Sequence, residues 1–249
     1  MTSHELHVPR ELRRGGRLGD EEHAHASALE LIGLVCRCLE VGDLGATSVL
    51  DMGCGYRIAQ ALLRENLPVK QYAGLDVHRD LIEYLRENVE DERFEFHALN
   101  FHNEMYNPAG EMLSENFDLP VAEGAFDVIC LFSVFTHLAP HDYSLMLKLL
   151  RRYIKPGGKL IFSLFVFENT PGGHGFVERR TAGYEISEED IKNWDGPPDF
   201  VDWDPNQPLK WAVYSRESAL KLVEGTSWQV ESLNYPEPYI QHYMVCSPI

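Results

Sequence analysis

Between residues 20 and 40 the apolar positions Ala24, Ala28, Leu31, Ile32, Val35 and Leu39 recur at three- and four-residue intervals. That spacing predicts a helix packed on a sheet. From Ser48 onward the pattern alternates. Short apolar runs predict strands at Ser48 to Met52, Gln71 to Asp76 and Phe94 to Leu99, and helical periodicity predicts helices at Ile58 to Glu65 and Arg79 to Val89. Strands separated by single helices imply βαβ units and a parallel sheet. After an Asn- and Pro-containing stretch from 100 to 124, the run Phe126 to Phe132 is apolar almost throughout, which predicts a central strand covered on both faces. A helix from Asp142 to Tyr153 then meets the turn signal Lys155-Pro156-Gly157-Gly158, and a strand from Lys159 to Phe167 follows.

Between residues 168 and 214 the pattern breaks into Gly, Pro, acidic and aromatic residues, with a short helix expected after Ser187. The aromatics include Phe176, Tyr184, Trp194, Phe200, Trp203 and Trp211. Two readings stand: a lid or substrate loop, or a surface excursion that packs its own aromatics. A helix from Arg216 to Glu224 stops at Gly225, and strands Trp228 to Tyr235 and Gln241 to Cys246 are joined across Pro236-Glu237-Pro238. The expected fold is α/β: a Rossmann-like, mostly parallel sheet with a C-terminal antiparallel hairpin and helices on both faces.

The 249 residues fit one α/β domain. With 22 Lys plus Arg against 39 Asp plus Glu, the formal net charge is −17. That field repels phosphate backbones and anionic membranes, so no nucleic-acid partner is expected and a small-molecule partner is favoured. A homodimer is compatible with this composition. No apolar run approaches the roughly 20 residues of a membrane helix, so no membrane insertion is expected. Residues Met1 to Arg17 are polar and basic, without the apolar centre of a signal peptide. Of the five cysteines, Cys36 and Cys38 point to different faces of one helix, and Cys54, Cys130 and Cys246 are scattered. No zinc or disulfide framework is visible, and a cytoplasmic setting is expected.

The first strand ends in Asp51-Met52-Gly53-Cys54-Gly55. Glycines at 53 and 55 let the chain turn sharply into a helix while a ligand approaches its backbone. Asp76 closes the second strand, where a carboxylate can accept from both hydroxyls of a ribose. A dinucleotide fingerprint would place a third Gly or Ala at 58, where this chain has Ile58, and no triphosphate-binding run with Lys-Ser or Lys-Thr is present. An adenosine ligand without phosphate fits better.

Together, Val49-Leu50-Asp51-Met52-Gly53-Cys54-Gly55, Gly74-Leu75-Asp76, Ala125-Phe126-Asp127-Val128-Ile129 and Lys155-Pro156-Gly157-Gly158 resemble class I S-adenosylmethionine-dependent methyltransferases. The resemblance covers about Ser48 to Phe167 and extends to the terminal hairpin. It implies S-adenosyl-L-methionine as cofactor and S-adenosyl-L-homocysteine as product. By position, Asp51, Gly53, Cys54 and Gly55 would flank the methionine part and Asp76 with Val77 the ribose. Asn100, Phe101, Phe132 and Ser133, after the third and fourth strands, would complete the site. In these terms 1–249 is a single methyltransferase domain: an N-terminal extension and helix (1–45), a cofactor-binding core (46–167), a substrate lid or loop insertion (168–214), and a C-terminal helix and hairpin (215–249). Two positions depart from the family. Asn100 stands where many relatives have an Asp for the adenine amino group, and its carbonyl can still accept. Arg57 stands where many have a third glycine; it either points outward, the preferred reading, or pairs with the cofactor carboxylate.

Ser133-Val134-Phe135-Thr136-His137 follows the fourth strand, where a substrate-facing group is expected. Methyl transfer from a sulfonium mainly requires alignment, worth roughly 7–11 kcal/mol in favourable systems. An aliphatic hydroxyl acceptor also needs a base, and His137 is the candidate, with a cap for the following loop as the structural alternative. Tyr106-Asn107-Pro108-Ala109-Gly110, with the Ser-Val-Phe-Thr-His segment, resembles a bacterial subgroup of the family in which some relatives methylate hydroxyls of sugars or glycolipid precursors. Tyr106 and Asn107 are therefore candidate substrate contacts, although Asn-Pro is also an ordinary turn. Glu21-Glu22-His23-Ala24-His25 reads as a solvated helix start. A divalent ion on acidic residues of 168–204 would suit a polyhydroxylated substrate, but no spacing supports one, and no metal residue is assigned. The leading expectation is an O-methyltransferase of a small carbohydrate-like or secondary-metabolite acceptor. The alternatives are an N- or C-methyltransferase and a noncatalytic adenosyl-binding regulatory module.

Overall fold

The structure, a computed structural model, describes residues 6–13, 20–103, 106–173, 175–182, 199–204, 206–235 and 241–249. The expected helix after Ser187, Tyr184, Trp194 and the Pro236–Pro238 link lie outside the described residues.

Two compact units are distinguished, one built from residues 1–112, 118–130 and 153–159, the other from 113–117, 131–152 and 160–249. In the first, the periodic apolar stripe at the start of the chain forms α1 (Glu21–Leu39), capped by the Asp20 side chain accepting from the amide of His23 at 2.8 Å. It packs on α2 (Arg57–Arg64). The strands β1 (Leu44–Met52), β2 (Val69–Asp76) and β3 (Phe94–Ala98) pair in parallel, with α3 (Arg79–Asn88) between the last two. β4 (Phe126–Leu131) pairs in parallel with β1, Leu50 opposite Ile129. Val128, Ile129 and Leu131 are wholly buried, as expected of a central strand.

The long strand β5 (Ile154–Val166) begins in this first unit. Its start differs from the expected Lys159. Lys155-Pro156-Gly157-Gly158 is a turn by composition, yet Gly157 takes φ 78° and the strand runs through it. Asp127 explains the hold: its carboxylate receives Lys155 Nζ at 2.8 Å on both oxygens and the amide of Ser48 at 2.8 Å. Two of the family-like segments are thus joined by one carboxylate. Burial pushes the Asp127 carboxyl up, but the bonds from Lys155 and Ser48 outweigh it and hold the group below the usual carboxylate range.

The second unit contains the rest of β5, α4 (Pro140–Leu150), α5 (Phe176–Ala182) and α6 (Arg216–Lys221). α4 starts two residues earlier than expected because Pro140 suits a first helical turn. The 168–214 segment holds two strands its composition concealed, β6 (Phe200–Asp202) and β7 (Ala212–Tyr214), each three residues long. They pair antiparallel, and β7 runs parallel to the end of β5. Phe165, Phe167, Phe176, Val177 and Val213 form a buried cluster against which Trp203 and Trp211 pack. Phe176, Trp203 and Trp211 of this segment therefore serve a small core shared with the end of β5. The terminal hairpin is present as β8 (Trp228–Asn234) and β9 (His242–Pro248), with β9 antiparallel to β5. The nine strands form a mixed, mostly parallel sheet in the order β3-β2-β1-β4-β5-β7-β6, with β9 on β5 and β8 on β9. No helix among the described residues is long and apolar enough to cross a membrane.

Candidate active site

At the end of β1 the chain reverses through Gly53 at φ 72° and Gly55 at φ 52°, a left-handed geometry that side chains with a Cβ disfavour. The turn is fastened to the end of β2. The amides of Gly53 and Cys54 donate to the Leu75 carbonyl at 2.7 and 3.1 Å. The amide of Gly55 donates to Asp76 Oδ2 at 2.8 Å, and that of His78 to Asp76 Oδ1 at 3.0 Å. Val77 lies half-buried between them. Asp51, Gly53, Cys54, Gly55, Asp76 and Val77 are thus brought together by bonds within one unit.

Asp51 is only 2% exposed, and the Tyr72 hydroxyl donates to its Oδ2 at 2.6 Å. Burial raises its carboxyl to about 7, although the Tyr72 bond and the charge of Arg57 pull it down. Arg57 corrects an expectation. Its side chain does not simply point outward: Nη1 donates to Ser27 Oγ on α1 at 2.7 Å, and the residue is half-buried. A buried carboxyl and a guanidinium therefore flank the glycine turn, and the guanidinium is bonded to α1, 30 positions away in sequence.

β3 ends beside Asp76, where the Leu99 amide donates to the Asp76 carbonyl at 2.8 Å, and Asn100 and Phe101 follow. Both ends of the Asn100 amide are engaged: Nδ2 donates to Glu111 Oε1 at 3.1 Å, and Oδ1 accepts from Asn107 Nδ2 at 3.3 Å. An amide oxygen has two lone pairs, so a further donor can be accommodated. Asn107 Nδ2 also donates to the Phe101 carbonyl at 2.9 Å, and a Cβ at Gly110 would lie 2.4 Å from that same carbonyl oxygen. The Tyr-Asn-Pro-x-Gly segment is therefore a tight turn whose Asn side chain and Gly hold it closed. Tyr106 lies against His78, with ring centroids 5.9 Å apart.

In the second unit Phe132 is buried and Ser133 takes φ 64°, a strained conformation for a residue with a Cβ. Three bonds pin it. The Ser133 amide donates to Ser163 Oγ at 2.8 Å, Ser163 Oγ donates to Gln241 Oε1 at 2.6 Å, and Gln241 Nε2 donates to Ser133 Oγ at 3.0 Å. The next turn, Phe135–His137, presents His137, whose Nδ1 lies 3.0 Å from the Leu209 carbonyl. Nearby in sequence to the strand ends, Glu168 receives both Arg216 Nε at 2.8 Å and Nη2 at 2.6 Å, and meets His242 Nε2 at 2.8 Å. Sequence reasoning missed Ser163, Gln241, Glu168 and His242, which no local pattern marks. Among the described residues no group of three or more His, Cys, Asp or Glu is placed to hold a metal ion.

The residues of the first turn fit an adenosylmethionine: a buried carboxylate beside an open glycine turn, and a second carboxylate already organised by backbone amides. Comparison with known proteins agrees. Residues 50–162 match the methyltransferase-domain family. Solved structures similar to this chain include a protein of Pyrococcus horikoshii OT3 (TM-score 0.55, 16% identity, 92% of this chain and 92% of that one covered). Magnesium protoporphyrin IX methyltransferase from Synechocystis PCC 6803, with bound S-adenosylhomocysteine, gives TM-score 0.55 at 11% identity, covering 95% of this chain and 89% of that one. A Burkholderia thailandensis 1,6-didemethyltoxoflavin-N1-methyltransferase gives TM-score 0.55 at 14% identity, covering 90% and 79%. At such identities the likeness is one of fold.

Proposed function

We propose that this protein methylates a hydroxyl of a small carbohydrate-like or secondary-metabolite acceptor, with His137 as the general base. The observation that carries the reading is the contact of His137 Nδ1 with the Leu209 carbonyl at 3.0 Å. A carbonyl oxygen only accepts, so Nδ1 carries a proton, and in the neutral form of the ring the basic lone pair is then on Nε2. Bound S-adenosylmethionine supplies a methyl group already activated on a sulfonium. His137 Nε2 would take the proton of the acceptor hydroxyl as that oxygen receives the methyl group, a contribution on the order of 10²–10⁴-fold. Asp51 and Asp76 hold the cofactor's ammonium and ribose, and Tyr106 and Asn107 border the acceptor. The 168–214 segment acts as acceptor-side cover, in a cytoplasmic enzyme.

The test combines calorimetry with a labelled-methyl assay over a panel of sugar and polyketide hydroxyls. S-adenosylhomocysteine should bind, and His137→Ala should retain that affinity while losing turnover on the best acceptor. Absence of any binding would overturn the adenosyl reading. Methylation confined to amines or carbon acids would replace the hydroxyl assignment, and binding without transfer would leave a regulatory module.

A further inference from the structure

Leu209 is the residue whose carbonyl meets His137, and it adopts φ 54°. A left-handed backbone is unfavourable for a branched side chain with a Cβ. Something must hold it there. The Leu209 amide donates to Asp202 Oδ2 at 3.0 Å, closing the β6–β7 connection from the strand that opens it. Further bonds stiffen the same connection: the Gln207 amide donates to the Asp204 carbonyl at 2.9 Å, and the Lys210 amide to the Gln207 carbonyl at 3.1 Å.

The other oxygen of that carboxylate is conspicuous. Asp202 Oδ1 is buried and has no hydrogen-bond partner among the described residues. A carboxylate oxygen kept from water in this way is unfavourable for stability, and its retention calls for a role that an apolar residue could not fill. Fixing Leu209 is such a role. The hairpin also grips the same turn a second time, because the Tyr214 hydroxyl of β7 donates to the Leu138 carbonyl directly after His137.

We propose that Asp202 is a positioning residue: by holding Leu209 left-handed it aims the Leu209 carbonyl at His137 Nδ1 and fixes which imidazole nitrogen carries the proton. The hairpin of the 168–214 segment is then the orienting element of the base, and the catalytic consequence rests on the base reading above. The mechanism is indirect, through one residue's backbone, and so depends on an amide acceptor at position 202 and on the conformation of Leu209. It does not depend on the charge at 202 alone.

The experiment reads the imidazole directly, with the full chain, ¹⁵N-labelled histidine and saturating S-adenosylhomocysteine. Long-range ¹H–¹⁵N spectra distinguish the two tautomers, and His137 is assigned from the signals lost in His137→Gln. The wild type should show His137 with the proton on Nδ1. Asp202→Ala should turn that form into the minority while the other histidines keep their shifts, and Asp202→Asn, whose amide oxygen still accepts from Leu209, should retain it. Leu209→Gly reaches the left-handed region unaided, so adding Asp202→Ala to Leu209→Gly should leave the tautomer unchanged. A wild-type ring protonated on Nε2 would overturn the proposal even if every variant misfolded. So would an unchanged tautomer in folded Asp202→Ala. If the tautomer follows these expectations but His137→Ala keeps full turnover, the positioning stands and the base assignment falls.

Discussion

The amide of Gly55 donates to the carboxylate of Asp76 at 2.8 Å, so the residue expected to hold the ribose also shapes the turn expected to hold the methionine. Its second oxygen takes the His78 amide at 3.0 Å. Asp76→Ala removes both acceptors at once, and hydrogen bonds to a charged group contribute about 1.5–3 kcal/mol each. The variant should lose at least about tenfold in S-adenosylhomocysteine affinity, about 1.4 kcal/mol, and several degrees in Tm. Asp76→Asn keeps one acceptor oxygen and should fall between. Calorimetry and thermal melts measure both, and unchanged affinity in Asp76→Ala would mean that the ribose lies elsewhere.

Asp51 gives a pH-dependent prediction. Its carboxyl stands at about 7 in the folded protein, with burial the dominant cause, against an ordinary value near 3.8. The folded state thus holds a proton that the unfolded chain releases at lower pH. Stability in the cofactor-free protein is therefore lost as pH rises from about 4 through about 7, and the loss saturates above that, at an upper bound of about 4 kcal/mol. Asp51→Asn removes this term while its amide oxygen can still accept from Tyr72. In the absence of cofactor it should melt higher than wild type at pH 8, with the difference shrinking as pH falls and nearly gone by about pH 4. It should also bind S-adenosylhomocysteine more weakly at pH 8, because the carboxylate proposed to pair with the ammonium is gone. A melting difference independent of pH would contradict the raised carboxyl.

Arg57 separates a binding role from a packing one. Its bond to Ser27 at 2.7 Å orients the guanidinium beside the glycine turn, and its positive charge is felt at Asp51. If it reads the cofactor carboxylate, Arg57→Met should weaken S-adenosylhomocysteine by about tenfold, about 1.4 kcal/mol, and leave 5′-methylthioadenosine, which lacks the amino-acid moiety, nearly unaffected. Ser27→Ala should show a smaller loss of the same selectivity. Equal losses for the two ligands would assign Arg57 to packing between α1 and α2.

What the sequence disclosed and what it hid divide by range of interaction. The β1 turn, Asp76 and the apolar β4 were legible because each depends on neighbours within a few residues: glycines at a strand end, a carboxylate closing a strand, a continuous apolar run. The polar bonds of the second unit are not local. Ser133 and Gln241 are separated by 108 positions, and His137 and Leu209 by 72. β6 and β7 are too short, at three residues each, to show a period. Arg57 was misjudged for the same reason, since its partner lies 30 positions away on α1. Aromatic richness in 168–214 carried two meanings, and the cluster around Phe176 shows that self-packing accounts for Phe176, Trp203 and Trp211.

The Ser133 turn offers a last prediction, in which backbone strain and side-chain bonds oppose one another. A residue with a Cβ at φ 64° is disfavoured by roughly 1–2 kcal/mol relative to a relaxed backbone. Ser133→Gly relieves that strain and forfeits the bond to Gln241, itself worth about 1 kcal/mol, so the two changes should nearly cancel in Tm. Ser133→Val keeps the strain, adds a branch and loses the bond, and should destabilise by about 2–3 kcal/mol. Gln241→Leu leaves the hydroxyl of Ser163, which is only 5% exposed, without its acceptor. That loss should be about 1–3 kcal/mol, a fall of several degrees in a thermal melt. Combining Gln241→Leu with Ser163→Ala should cost less than the sum of the two single changes, because both break the same Ser163–Gln241 bond. Full additivity of the two changes would mean that the three side chains do not act as one network.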